Sequence, residues 1–181
     1  MTRLLYSLVL WLIQPLLRIK LARRAQREPG YRVAIEERFG RYTGGAPWRR
    51  DDLTLWVHAV SLGETRAAAV LVARLREQMP GLRLLLTHGT ATGRAEGVKL
   101  LQPGDAQTWQ PWDTPATVRR FLEHFKPSLG ILMETEVWPN LAAGCQRMDI
   151  PLVLANARLS DKTMRQARRL GWLARARPIA V

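Results

Sequence analysis

Cysteine is almost missing from this chain of 181 residues: Cys145 stands alone, which excludes a disulfide scaffold. There is no CxxC, no HExxH and no Cys/His cluster, so no recognisable zinc site exists. No GxGxxG follows a predicted strand, no lysine-bearing phosphate loop is present and no DxD occurs. Internal repeats and low-complexity segments are absent. Acidic residues are scarce, 15 against 28 Lys plus Arg, for a formal net charge of +13. With 47% hydrophobic residues the chain can bury a sizeable core, which argues against disorder and against a polytopic membrane protein.

The charge is unevenly placed. Residues 1–50 hold 11 basic and 3 acidic side chains, residues 51–157 hold 10 and 11, and residues 158–181 hold 7 and 1. A nucleic-acid binder is expected to spread Lys and Arg over its folded middle. Here they flank an apolar N-terminus and crowd the other end, a pattern that fits an anionic membrane surface rather than DNA or RNA. Leu4 to Leu17 is apolar except for Ser7, Gln14 and Pro15, and Arg18, Lys20, Arg23, Arg24 and Arg27 come next. Fourteen helical residues cover about 21 Å against about 30 Å of hydrocarbon. A shallow, monotopic anchor therefore fits as well as a spanning helix, and the basic flank keeps the chain after residue 18 on the cytoplasmic side. A cleaved signal fits badly, because the run is succeeded by basic residues with no A-x-A-like site. A core helix docked on another domain stays open as the plain alternative. Residues 1–28 are thus set apart as an anchor helix with a basic flank, and 29–181 as the folded domain.

From residue 53 onward short apolar runs alternate with helical stretches. Strands are predicted at Leu53–Ala59, Leu82–Thr87, Gln107–Gln110, Ser128–Met133 and Pro151–Ala155. Helices are predicted at Glu64–Met79, Gly93–Leu101, Thr114–Phe125 and Val137–Met148. This alternation implies an α/β fold: βαβ units building a Rossmann-like parallel sheet with helices on both faces. In such a sheet the loops leaving the carboxyl ends of the strands share one rim, where ligands bind. That rim collects Ser61-Leu62-Gly63-Glu64, the loop Thr87 to Gly93, Pro111-Trp112-Asp113, Met133-Glu134-Thr135-Glu136 and Asn156-Ala157-Arg158-Leu159-Ser160; the opposite rim gets ordinary turn residues.

Glu64, after a glycine that permits a tight turn, stands at a helix start, where the macrodipole favours an ionised carboxylate available as proton acceptor. An acid there is equally an ordinary cap. Glu134 and Glu136 add carboxylates at the same rim, a set that suits proton transfer and stabilisation of developing positive charge, and solvated loop acids are the bland counterpart. Thr90 and Thr92 can offer hydroxyls, with backbone N–H groups, to phosphate or sugar oxygens. Arg158 is a natural anion clamp. His58, His88 and His124 are read as non-catalytic, and most of the seven Trp as core or interface residues, Trp11 being the interface candidate.

The strings Trp56-Val57-His58-Ala59-Val60-Ser61-Leu62-Gly63-Glu64, Thr87-His88-Gly89-Thr90-Ala91-Thr92-Gly93, Met133-Glu134-Thr135-Glu136-Val137-Trp138-Pro139-Asn140-Leu141 and Asn156-Ala157-Arg158-Leu159-Ser160 closely resemble the N-terminal half of the Kdo (3-deoxy-D-manno-octulosonic acid) transferases, from the N-terminal apolar segment to about residue 170. The resemblance implies a GT-B glycosyltransferase whose N-terminal half binds the acceptor, with Kdo moved from CMP-Kdo to the lipid A precursor. It assigns the general base to Glu64 and transition-state stabilisation to Glu134. Ser61, Gly63, Thr90, Thr92, Glu136, Asn156 and Arg158 become the expected substrate contacts. The CMP site and a further catalytic lysine fall beyond Val181, so the donor domain is expected to be missing, the acceptor domain to be incomplete after Arg177-Pro178, and the fragment to be inactive alone. No cofactor is expected, CMP-Kdo being a substrate. The expected partners are the glycolipid precursor and an anionic membrane, not nucleic acid, and the expected location is the cytoplasmic face of the inner membrane. Two rivals remain: a non-catalytic membrane- or glycolipid-binding module, and a metal-dependent hydrolase using Glu134 and Glu136.

Overall fold

The computed structural model describes residues 3–43, 52–134 and 138–156. Helix α1 (Arg3–Arg27) leads into two 3-10 turns, Pro29–Arg32 and Ile35–Phe39. Then come β1 (Thr54–His58), α2 (Leu62–Gln78), β2 (Arg83–His88), α3 (Ala91–Gly97) with a 3-10 extension Val98–Leu100, β3 (Ala106–Trp109), α4 (Pro115–Phe125), β4 (Leu129–Met133), α5 (Pro139–Arg147) and β5 (Leu152–Ala155). All strand pairs are parallel and their order is β3-β2-β1-β4-β5. The α/β reading from periodicity is borne out, each element falling within a few residues of its predicted place.

The reason is the pleat, which sends alternate side chains to opposite faces. Leu55, Val57, Leu84, Leu86, Ile131 and Met133 form one core with Ala68 and Val72 of α2. Trp56, Leu85 and Leu132 form the other with Val118, Phe121 and Leu122 of α4 and with Leu141 and Cys145 of α5. Gly130 belongs to this close fit: a Cβ there would stand 2.7 Å from the Trp56 ring and 2.5 Å from Leu152. The open edge at β3 is covered by the 3-10 segment. Glu37 accepts the Trp109 N–H at 2.9 Å and an Arg94 N–H at 2.8 Å, and Trp112 N–H donates to the Arg38 carbonyl at 2.8 Å. Arg38 is itself buried, its guanidinium 3.9 Å over the Trp109 ring and donating to the Gly89 carbonyl at 2.9 Å. Burial lowers its pKa to about 10, so it stays charged at neutral pH.

Two sequence expectations change. The N-terminal helix runs through Pro15 for 25 residues, not fourteen, and is about 38 Å long. Leu16 to Arg27 is rich in Leu, Arg, Lys and Ala, which favour helix, and Leu21 and Ala25 are held in a third cluster with Tyr31 and Trp109. Gly63 does not make the turn into α2; it lies inside the helix, and a Cβ there would meet only Ser61 Oγ, at 4.0 Å.

His58 and His88 lie at the ends of β1 and β2 and are fully buried. His58 Nδ1 is 2.8 Å from Thr87 Oγ1, and His88 Nδ1 is 3.1 Å from the Ala59 carbonyl. Burial pulls their pKa values from 6.5 to about 3 and about 4. Depressed folded-state values mean full stability above pH 6.5 and loss as pH falls toward 4, since unfolding there takes up protons the folded rings refuse. We expect neither imidazole to titrate by NMR between pH 8 and 5, while the midpoint of urea unfolding holds from pH 8 to about 6.5 and falls below it. Titration of either buried ring near pH 6 would contradict this.

Candidate active site

The chain order reverses between β1 and β4: β1, β2 and β3 step outward one way, then β4 and β5 step outward the other. In open α/β sheets this reversal opens the crevice where ligands bind. Val57 pairs with Ile131 and His58 with Leu132, so the backbone exits of β1 and β4 are neighbours, a strand spacing of about 4.8 Å apart. Glu64 follows the first exit and Glu134 occupies the second.

Glu64 is 8% exposed and held at three points. Its N–H donates to Ser61 Oγ at 3.3 Å, Ser61 Oγ–H donates to Oε1 at 2.8 Å and Val60 N–H donates to Oε2 at 2.8 Å. This variant of the capping box binds Ser61 and Glu64 reciprocally and fixes the carboxylate at the mouth of α2. Each carboxylate oxygen retains a further lone pair for an incoming hydroxyl. The β1 exit is braced by the next loop. Thr90 Oγ1 donates to the Val60 carbonyl at 2.9 Å and accepts from Gly93 N–H at 3.1 Å. At Gly89 a Cβ would come within 2.6 Å of Val60 Cγ1.

The Ser61 and Thr90 hydroxyls are therefore engaged inside the protein, positioning Glu64 and its loop. Thr92 is exposed, its Oγ1 3.3 Å from that of Thr90. Open space beside Gly63 lets another molecule approach the α2 backbone. Glu134 is half-buried with φ +61°, and its N–H prolongs the β4–β5 ladder by donating to the Ala155 carbonyl at 2.9 Å. Asn156, leaving β5, also has positive φ, +55°. A left-handed backbone costs a residue such as glutamate about 1–2 kcal/mol, whereas asparagine adopts it readily; Ala34, Lys126 and Asp149, away from this rim, have it too. Glu136 and Arg158 lie outside the described residues. Among those described, no three of His, Cys, Asp and Glu converge as a metal site.

The sequence reading placed Asp113 on the rim and gave it no role. Helix α5 has no side-chain cap of its own; instead Asp113, from the loop after β3, accepts Asn140 N–H at 3.0 Å and Leu141 N–H at 2.8 Å. This supplies the acceptors that a helix start lacks. The Tyr6 hydroxyl of α1 also bonds this carboxylate, and Asn140 Nδ2 lies 3.0 Å from Ser7 Oγ. Burial raises the Asp113 pKa to about 6. The Asp113-to-Pro139-Asn140 separation is long in sequence, and only the fold joins the two. A cavity of about 370 Å³ lies between α1 and the start of α4, lined by the expected interface residue Trp11 but, among the described residues, by none of those predicted as catalytic or substrate-binding.

Comparison with known proteins identifies the family. The profile of the family described as 3-deoxy-D-manno-octulosonic-acid transferase (kdotransferase) matches residues 33–178. The chain is 46% identical to the 3-deoxy-D-manno-octulosonic acid transferase of Bordetella pertussis, over 97% of this chain and 41% of that protein. It is 38% identical to the enzyme of the same name from Haemophilus influenzae, over 90% of this chain and 38% of the relative. A probable mitochondrial 3-deoxy-D-manno-octulosonic acid transferase of Arabidopsis thaliana is 34% identical over 90% and 36%. The chain thus spans about two fifths of the length of these relatives. With profile and relatives in agreement, the chain belongs to the Kdo transferase family of glycosyltransferases.

Proposed function

We propose that this chain is the acceptor-binding part of an inverting glycosyltransferase that moves Kdo from CMP-Kdo to the lipid A precursor at the cytoplasmic face of the inner membrane. The observation carrying this reading is the placement of Glu64 and Glu134 at adjacent strand exits where the chain order reverses. Glu64 accepts the proton of a primary hydroxyl of the disaccharide lipid while that oxygen attacks the anomeric carbon of Kdo. The carbon–oxygen bond to CMP breaks, its electron pair leaves with the phosphate, and configuration inverts. The Glu134 carboxylate stabilises the positive charge that develops on the sugar. Since the chain covers about two fifths of its relatives, the 181 residues alone are expected not to turn over; consumption of CMP-Kdo by the purified chain would refute this.

In the same reading α1 lies in the membrane surface. Leu4, Leu5, Leu8, Val9, Trp11, Leu12, Leu16 and Ile19 are all solvent-exposed, and at 100° per residue they occupy one arc of about 160°. By length and composition α1 could also cross a bilayer. Its opposite flank, however, meets the domain from Tyr6 and Ser7 near the start, through Arg18 paired with Glu36 at 2.9 Å, to Leu21 and Ala25. A spanning helix would drag the charged domain into hydrocarbon with it, whereas an in-plane helix buries only its apolar stripe. Cys145 is buried and its thiol is pushed up to about 12, so it should not react. Arg3→Cys and Arg27→Cys are accordingly expected to be labelled by an impermeant maleimide from the same side of sealed vesicles. Labelling from opposite sides would mean a spanning helix.

A further inference from the structure

The cavity of about 370 Å³ is bounded by α1, the 3-10 turn Ile35–Phe39 and the first turn of α4. That volume is within the range of about 300–1,000 Å³ typical of small-molecule sites. Arg18, Arg41 and Arg120 line it, and among the described residues no carboxylate does. Glu36, outside the lining, pairs with Arg18 at 2.9 Å and Arg41 at 3.1 Å, and the hydrogen bond from Arg18 is the main cause holding its pKa below the ordinary range. Among the described residues one carboxylate thus pairs with two of the three guanidinium groups. The groups are partly fixed: Arg18 lies 3.5 Å over the centre of the Phe39 ring, and Arg120 donates to the Phe39 carbonyl at 3.5 Å. The wall at α4 adds the amino-terminal end of an 11-residue helix, where partial positive charge also favours an anion. Trp11 lines the cavity, is 64% exposed and belongs to the outward apolar stripe of α1. The cavity and the stripe therefore meet at this residue.

Forked guanidinium donors in excess of their counter-charge match a phosphate, and the adjoining apolar helix selects one attached to a lipid. We propose that this cavity binds the phosphate of an anionic membrane-lipid headgroup through Arg18, Arg41 and Arg120. This rests on the reading that α1 lies in the membrane surface, but not on the transfer chemistry. The site would lock the anchor's tilt and hold the rim at a set height above the bilayer.

Native mass spectrometry of the whole chain, released from mixed micelles of phosphatidylglycerol and phosphatidylcholine, tests it. One phosphatidylglycerol should be retained in preference to phosphatidylcholine by about tenfold, a ratio that one hydrogen bond to a charged group supports. Arg41→Gln/Arg120→Gln, both surface residues, should lose that preference with an unchanged circular dichroism spectrum. The control Arg119→Gln/Arg147→Gln, with the same loss of charge away from the cavity, should keep it. An unchanged preference in the cavity variant overturns the proposal, as does displacement of the lipid by excess inorganic phosphate, which would make this a site for free anions. Equal retention of both lipids overturns the proposal, because phosphatidylcholine carries the same phosphodiester without net charge and the cavity would then not select an anionic headgroup, while the membrane reading stays intact; retention of neither removes both. Replacing phosphatidylglycerol by the phosphorylated disaccharide precursor separates the two lipid sources. Stronger retention through the same arginines assigns the cavity to the acceptor's phosphate, and equal retention assigns it to bulk lipid, either outcome supporting a lipid-borne phosphate.

Discussion

Glu64→Gln in the full-length protein is expected to lower Kdo transfer by about 10²–10⁴-fold, the usual contribution of a positioned general base. The geometry adds a second consequence. Glutamine can still accept from Ser61 Oγ–H or from Val60 N–H with its one carbonyl oxygen, but its amide nitrogen then meets the remaining donor, where Glu64 now accepts both. A lost cap of this kind costs about 0.5–2 kcal/mol, so this substitution lowers stability somewhat as well as rate. The two effects separate experimentally, because a capping defect changes the unfolding midpoint and leaves the turnover of the remaining folded enzyme intact. Single-turnover transfer from CMP-Kdo to the glycolipid, normalised to folded protein, isolates the chemistry. An unimpaired rate would leave Glu64 as a helix cap only and would remove it from the mechanism.

Trp56→Ala should produce the largest loss of stability, about 3–5 kcal/mol, as for other buried large aromatic residues. Trp56 is fully buried in the central strand, its ring 5.2 Å from that of Phe121 at a steep angle and its indole N–H donating to Thr87 Oγ1 at 2.8 Å. Against a total of about 5–15 kcal/mol for a typical domain, that change brings the chain close to unfolding. Trp56→Phe should lose less, because Thr87 Oγ1 keeps its partner in His58. Urea unfolding followed by circular dichroism measures both, and a loss under about 1 kcal/mol for alanine, well below the cost of a core cavity, would show that the ring does not organise this face. Gly130→Ala probes the same contact from the other side, and its effect should depend on what occupies position 56.

How much was legible in the sequence varies by element. The five strands and the helices between them were readable because a parallel sheet demands continuous apolar runs and its crossovers demand the helical period. The caps Ser61, Thr90 and Thr114 emerge only in the structure, where each accepts an N–H from three residues on; from the sequence Ser61 and Thr90 are expected substrate contacts and Thr114 the first residue of its helix. The functional strings around Glu64 and Glu134 were recognisable as family motifs. Local sequence did not show that the Ser61 and Thr90 hydroxyls are engaged within the protein, because their partners Val60 and Glu64 take part in a loop-to-loop fit.

The sequence alone determined the α/β class, the strand and helix positions, the charge asymmetry and the family, because these depend on periodicity, composition and residue identity. Only the tertiary structure decided that β4 returns beside β1, and so that Glu64 and Glu134 leave neighbouring strands. It likewise decided that Asp113 caps a helix through Asn140, 27 residues away, that α1 docks lengthwise, and that three arginines from separate segments face one cavity. The physical reason is common to all of these: each depends on which distant segments are brought together when apolar surface is buried, and no short window of sequence carries that pairing.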